Sequence, residues 1–161
     1  QRSSTSTKGS MTTTTPVGSV SPGKVQHQKY MPLIMAMHNI EYCATASPSN
    51  MKDFTKKIQK GLEASKHGFA YIHVFSSCPT GWGCNADLTI ELARNAVKSN
   101  LFPLFEVDNG KWKLNENTNL IPVSEFTKKL KKFKHLTPED IEEIQELVEY
   151  RMNIIRKLAD N

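Results

Sequence analysis

A chain of 161 residues with an apolar fraction of 38% has room for one compact domain with an ordinary core. Three cysteines give no disulfide framework, and no run reaches the roughly 18 apolar residues of a membrane span. The formal charge of +5 sits largely in Lys128, Lys129, Lys131, Lys132 and Lys134, which reads as a solvated face or a docking patch for an acidic partner, not as a nucleic-acid surface. With no signal peptide discernible, these features together describe a protein of the reducing cytoplasm.

Residues 1–26 are rich in Ser, Thr, Gly and Pro, with four threonines in a row before Pro16. By composition alone this is a flexible lead-in, although such hydroxyls and glycine amides also suit contacts to a diphosphate or to a neighbouring subunit. A short helix is expected over residues 29–39, where Met31, Leu33, Ile34, Met35 and Met37 make it apolar nearly all round and therefore deeply packed. A strand over residues 41–46 follows, then a helix begun by Ser49 or Asn50 and carrying Phe54, Ile58 and Leu62 at spacing four to about Ser65.

Residues 69–75, FAYIHVF, are mostly β-branched or aromatic, as in a strand buried on both faces of a parallel sheet. Ser76, Ser77, Pro79 and Gly81 end it, so Cys78 stands beyond the carboxyl end of a strand, where open α/β sheets collect ligands. Asn85 or Asp87 caps the next helix, with Leu88, Leu92 and Ala96 facing inward. Residues 101–107 form the following extended run. Asp108, Asn109 and Gly110 then signal a hairpin into residues 111–114.

From Pro122 the chain turns helical and amphipathic. Phe126 and Leu130 come first, and a last helix is opened by Thr137, Pro138, Glu139 and Asp140, a near capping box. Its stripe is Ile141, Ile144, Leu147, Val148, Ile154 and Leu158. The alternation of strands and helices assigns an α/β class, part of a doubly wound sheet, with a helical C-terminal extension. Boundaries fall at residues 1–26, 27–115 and 116–161.

Three strings, CATASPSN, SSCPTGWG and LFPLFEVDNGKWKLN, occur in an order that resembles the β subunit of the 2-oxoacid:ferredoxin oxidoreductases, most closely the pyruvate synthase type. The resemblance runs from QRSSTSTKGSMTTTTPVGS to HLTPEDIEEIQELV. It implies a thiamine-diphosphate-binding-type sheet, of which this chain is the C-terminal half, either a fragment or one part of a split subunit. The implied cofactors are thiamine diphosphate, Mg²⁺ and a 4Fe-4S cluster, held mostly by residues outside this chain. The implied partners are the N-terminal half of the β subunit, the α and other subunits, ferredoxin, pyruvate and coenzyme A.

By the same resemblance Cys78 matches a cluster-ligating cysteine, and Gln1, Ser3 and Ser4 lie near the thiamine, with none of those three assigned to the metal. The chemistry is coherent, because iron-sulfur clusters require thiolates and a Ser, Pro and Gly loop exposes amides that can hydrogen-bond cluster sulfurs. Cys84 departs from the family pattern and reads as a free thiol, while Cys43 reads as core. His73, mid-strand, reads as a satisfied core histidine, and His38 and His135 as structural. No triad or carboxylate pair is discernible from spacing, so catalysis is assigned to the cofactor and not to side chains of this chain. Two other readings stay open: the same chemistry on a branched-chain or aromatic 2-oxoacid, and a noncatalytic α/β interaction module.

Overall fold

The computed structural model describes residues 6–12 and 15–160. Its centre is strand β1, Tyr42–Ala46, all five residues of which are buried. Helix α2, Met51–Ala64, leads from β1 to strand β2, Ala70–Val74, which pairs with β1 in parallel, Tyr42 beside Ala70 and Ala46 beside Val74. On the other side of β1, strand β3, Phe105–Asp108, runs antiparallel and turns into strand β4, Lys111–Leu114. The four-stranded order is therefore β2-β1-β3-β4.

Helices cover both faces, as the α/β reading requires. Tyr42 and Ile72 face α2, where Gly61 lets the helix approach so closely that a Cβ would sit 2.6 Å from Ile72 Cδ1. The alternate residues, Cys43 and Tyr71, face the opposite way and join Phe105, Val107, Met152 and Ile155 in a core shared with helix α1, Met31–Ala36, and the long helix α6, Pro138–Ala159. A second core gathers Leu92 and Ala96 of helix α4, Thr89–Lys98, and Phe126 of the one-turn helix α5, Ser124–Thr127, with Phe102, Leu104, Leu130 and Phe133.

Local signals account for several boundaries. Asn50 caps α2 by accepting from the Asp53 N–H, and Thr137 and Asp140 form a complete reciprocal capping box on α6. Asn109 (φ 47) and Gly110 (φ 77) supply the two left-handed residues that a tight hairpin needs. Leu92 and Ala96 are buried as the spacing requires.

Other details differ. The strand at residues 69–75 is not buried on both faces: β2 is an edge strand, its residues are half-buried, and Val74 is exposed. An apolar run reports side-chain type and not the number of neighbouring strands, and among the described residues β2 has a strand on one side only. Helix α1 is shorter than residues 29–39, ending before Asn39 in the left-handed region, and it is not deeply packed, since Ile34 and Met37 are exposed and Pro32 is its buried residue. After the Cys78 loop a 3-10 turn, Ala86–Leu88, comes between Asn85 and α4. The buried stripe of α6 is Ile144, Val148, Arg151, Met152 and Ile155, with Ile154 and Leu158 at its margin.

The polar segment ahead of α1 lies against the C-terminal extension. Gly9 N–H donates to Lys24 O (2.7 Å), Met11 N–H donates to Lys132 O (3.0 Å), and His135 Nε2 lies 2.8 Å from Gly9 O.

Candidate functional site

The Cys78 loop follows the carboxyl end of β2. Cys78 is the N-cap of a single helical turn, α3, Pro79–Trp82, where the missing N–H of Pro79 is tolerated at the first position. The Gly81 N–H donates to Cys78 Sγ (3.3 Å), and a Cβ on Gly81 would come within 3.0 Å of that sulfur. Gly83 (φ 65) closes the turn in the left-handed region. The thiol of Cys78 is exposed and already oriented by a backbone amide.

Beside it opens a cavity of about 390 Å³, whose wall includes Thr7, Gln28, Tyr30, His73, Cys78 and Lys132. One wall group, and one serine beside Cys78 in the chain, are short of partners. Among the described residues the Tyr30 hydroxyl is buried without a hydrogen bond, and so is the Ser77 Oγ next to Cys78. Burial raises the pKa of Tyr30, against the opposing pull of the Arg151 guanidinium, which lies 4.2 Å from the Tyr30 ring centroid.

Lys132 belongs to the 3-10 turn Lys131–Phe133, is buried, and holds its Nζ 4.1 Å from the Trp82 ring centroid and 4.8 Å from that of Phe133. Burial brings its pKa down to about 8, although negative charge on Cys84 or Cys78 would favour the ammonium. Cys84 packs at the edge of the α4 core. Its thiol is pushed up by burial and then by Cys78, with Lys132 opposing.

His73 is half-buried with Nδ1 2.8 Å from Tyr71 Oη, so it has the satisfied environment foreseen for it, yet it also lines the cavity. Burial lowers its pKa, favouring the neutral ring. Cys43 is core: its thiol donates to Pro32 O (3.3 Å), and burial pushes its pKa up to about 12. His135 serves the backbone at Gly9.

Gln1, Ser3 and Ser4 lie outside the described residues. The structure therefore brings Cys78 together with Lys132, His73 and Tyr30, a grouping that spacing did not reveal. Lys132 was concealed in a run of lysines, and no local signal separates it from its neighbours, because what buries it is Trp82, fifty positions earlier.

The donor set suits part of the implied cofactor equipment. An exposed thiol with a backbone N–H on its sulfur is the arrangement a cluster-ligating cysteine needs. One thiolate does not hold a cubane. No group of three or more Cys, His, Asp or Glu gathers among the described residues, so they offer Mg²⁺ no ligand set. Hydroxyls of Ser6 and Thr7 on the cavity wall are of the kind that contact a diphosphate. No helix among the described residues is long and apolar enough to cross a membrane.

No family model matches the chain. Among curated proteins, however, it aligns over 96% of its length, at 40% identity, with the pyruvate synthase subunit PorB of Methanocaldococcus jannaschii. It also aligns over 99% of its length, at 40% identity, with the ketoisovalerate oxidoreductase subunit VorB of Pyrococcus furiosus. The β subunit of the NADH-dependent phenylglyoxylate dehydrogenase of Aromatoleum evansii is 40% identical over the whole chain. Over its own length the chain is thus a relative of the 2-oxoacid:ferredoxin oxidoreductase β subunits. It spans 52% of the first two of these relatives and 36% of the third.

Proposed function

We propose that this chain is the C-terminal part of a pyruvate:ferredoxin oxidoreductase β subunit, active only with the remainder of that subunit, an α subunit and others. The assembly would convert pyruvate, coenzyme A and oxidised ferredoxin into acetyl-CoA, CO₂ and reduced ferredoxin. The observation that carries this reading is the match of 96% and 92% of the chain to about half the length of two pyruvate synthase subunits, with an exposed, amide-oriented Cys78 at the carboxyl end of a sheet strand.

When bound, thiamine diphosphate with Mg²⁺ supplies an electron sink for decarboxylation, and a 4Fe-4S cluster accepts the electrons released. In this chain Cys78 Sγ is the atom that would ligate the cluster, and the Gly81 N–H fixes its direction and withdraws charge from it. Ser6 and Thr7 offer hydroxyls to a diphosphate. Phe75, Trp82 and Phe126, packed with ring centroids 5.7 to 6.3 Å apart, give the cavity an apolar floor, and charges held against it interact more strongly than in bulk water. Neutral His73 is a hydrogen-bonding group on the wall with its Nδ1 already engaged by Tyr71.

The test is Cys78→Ser in the assembled enzyme. Loss or rearrangement of the proximal cluster's EPR signal, with turnover abolished, is the expected outcome, and an unchanged spectrum and rate would refute the reading. A branched-chain or aromatic substrate is the second reading, favoured by relatives named for ketoisovalerate and phenylglyoxylate at the same 40% identity. Ferredoxin reduction measured across a panel of 2-oxoacids decides between them. Pyruvate is expected to give the highest kcat/KM.

A further inference from the structure

Lys132 is a buried charge without an anion in the described structure. It is 7% exposed, yet it makes no ion pair and its Nζ makes no hydrogen bond among the described residues, having only the faces of Trp82 and Phe133. Its neighbours in the basic run are placed differently: Lys128 pairs with Glu125 and Lys129 with Glu91. A buried cation left without an anion is costly, and ring faces compensate only in part. The Lys132 side chain lines the Cys78 cavity, and Trp82 beneath it ends the same turn that Cys78 begins. The loop backbone joins the two, since the Lys131 N–H donates to Gly83 O (3.4 Å). The lowered pKa of Lys132, opposed by Cys84 and Cys78, agrees that both thiols lie within its electrostatic reach.

We propose that Lys132 is a positioning residue for electron transfer, a buried positive charge that offsets the negative charge of a thiolate-bound cluster at Cys78 and raises the reduction potential of that cluster. This rests on the cluster reading of Cys78 given above and adds to it the group that tunes the site. The physics is that of a fixed charge on a partly buried cavity wall, where an added electron is stabilised by a nearby cation that is screened less than it would be in bulk water.

The experiment is an EPR-monitored redox titration of the assembled complex carrying Lys132→Met, Lys132→Arg or the native lysine, with iron content measured for each. In K132M the iron is expected to stay and the reduced-to-oxidised ratio at a fixed potential to fall about tenfold, which for one electron is about 59 mV. K132R is expected to keep the native ratio. An unchanged ratio in K132M would overturn the proposal, and so would loss of iron from both variants, which would make the residue a packing element. Loss of iron from K132M alone, with K132R native, supports the charge. C78S in the same complex separates the two claims: if it leaves the spectrum unchanged, the cluster reading has failed and this proposal falls with it.

Discussion

Among the described residues three lysines are buried: Lys24 donates to the Gln26 carbonyl, and the other two, Lys57 and Lys132, are treated differently. Lys57, on α2, is 1% exposed, sits 2.9 Å from Asp53 and donates to Thr45 O at 3.0 Å. Lys132 is buried almost as fully and has only aromatic faces. Lys57 offsets part of its desolvation through Asp53 and the Thr45 carbonyl, although burial still holds its pKa below the usual lysine value, and it ties α2 to β1. Lys132 has no such anion among the described residues and lies beside an exposed thiol. A buried charge that is paired reports on architecture, whereas one left unpaired at a cavity points to what the cavity receives.

Stability measurements break or sharpen this contrast. Lys57→Met leaves the half-buried Asp53 without its cation and should cost about 2–4 kcal/mol in denaturant unfolding. Lys132→Met strands no carboxylate and should cost less than about 1 kcal/mol, or stabilise. Equal losses in the two variants would erase the distinction.

A second paired group extends it. Tyr42 Oη donates to Glu106 Oε2 at 2.7 Å and Lys60 Nζ meets the same oxygen at 3.0 Å. Burial works to raise the Glu106 pKa, but these two donors outweigh it and the net shift is downward. The folded chain therefore keeps Glu106 charged where the unfolded chain has begun to bind a proton. Its contribution is present above the ordinary glutamate range and is lost as pH falls through the folded value. Glu106→Gln should cost about 1.5–3 kcal/mol near neutrality and flatten the acid limb of a stability-against-pH curve.

The thiols offer a smaller test. At pH 8 an alkylating reagent should modify exposed Cys78 quickly and Cys43 only as fast as β1 opens. Because burial raises Cys43 to about 12, its stabilising share is complete below the ordinary thiol value near 9 and declines as pH climbs from there toward about 12. Comparable labelling of the two would deny that the sheet core and the cavity rim differ. Least of all, Gly83→Ala meets the Lys131 side chain at 2.6 Å in a left-handed turn and should cost about 1 kcal/mol, read as a lowered Tm.

The sequence disclosed what is decided locally. The α6 capping box needs only Thr137 and Asp140, the hairpin only Asn109 and Gly110, and the α2 start only Asn50, so each was legible within a few residues. The edge position of β2 was not, because apolar content is shared by edge and central strands. The exposure of Ile34 and Met37 was likewise hidden, since a helix's composition does not say which of its faces a given chain covers. At the site, Cys78 stood out by its place after a strand, while Lys132 and Tyr30 became visible only when segments far apart in sequence met. Five lysines in one run looked alike until Trp82 selected one of them.

The contact between His135 and Gly9 carries a consequence in time. It spans 126 positions, and Met11 hangs from the backbone of Lys132 in the same way. At the usual pace of synthesis the polar wall must wait roughly 6 to 25 seconds for its anchor to be made. The sheet and helices α1, α2 and α4 are made before that anchor, so the chamber beside Cys78 gains its wall only after they exist, and α6 follows last.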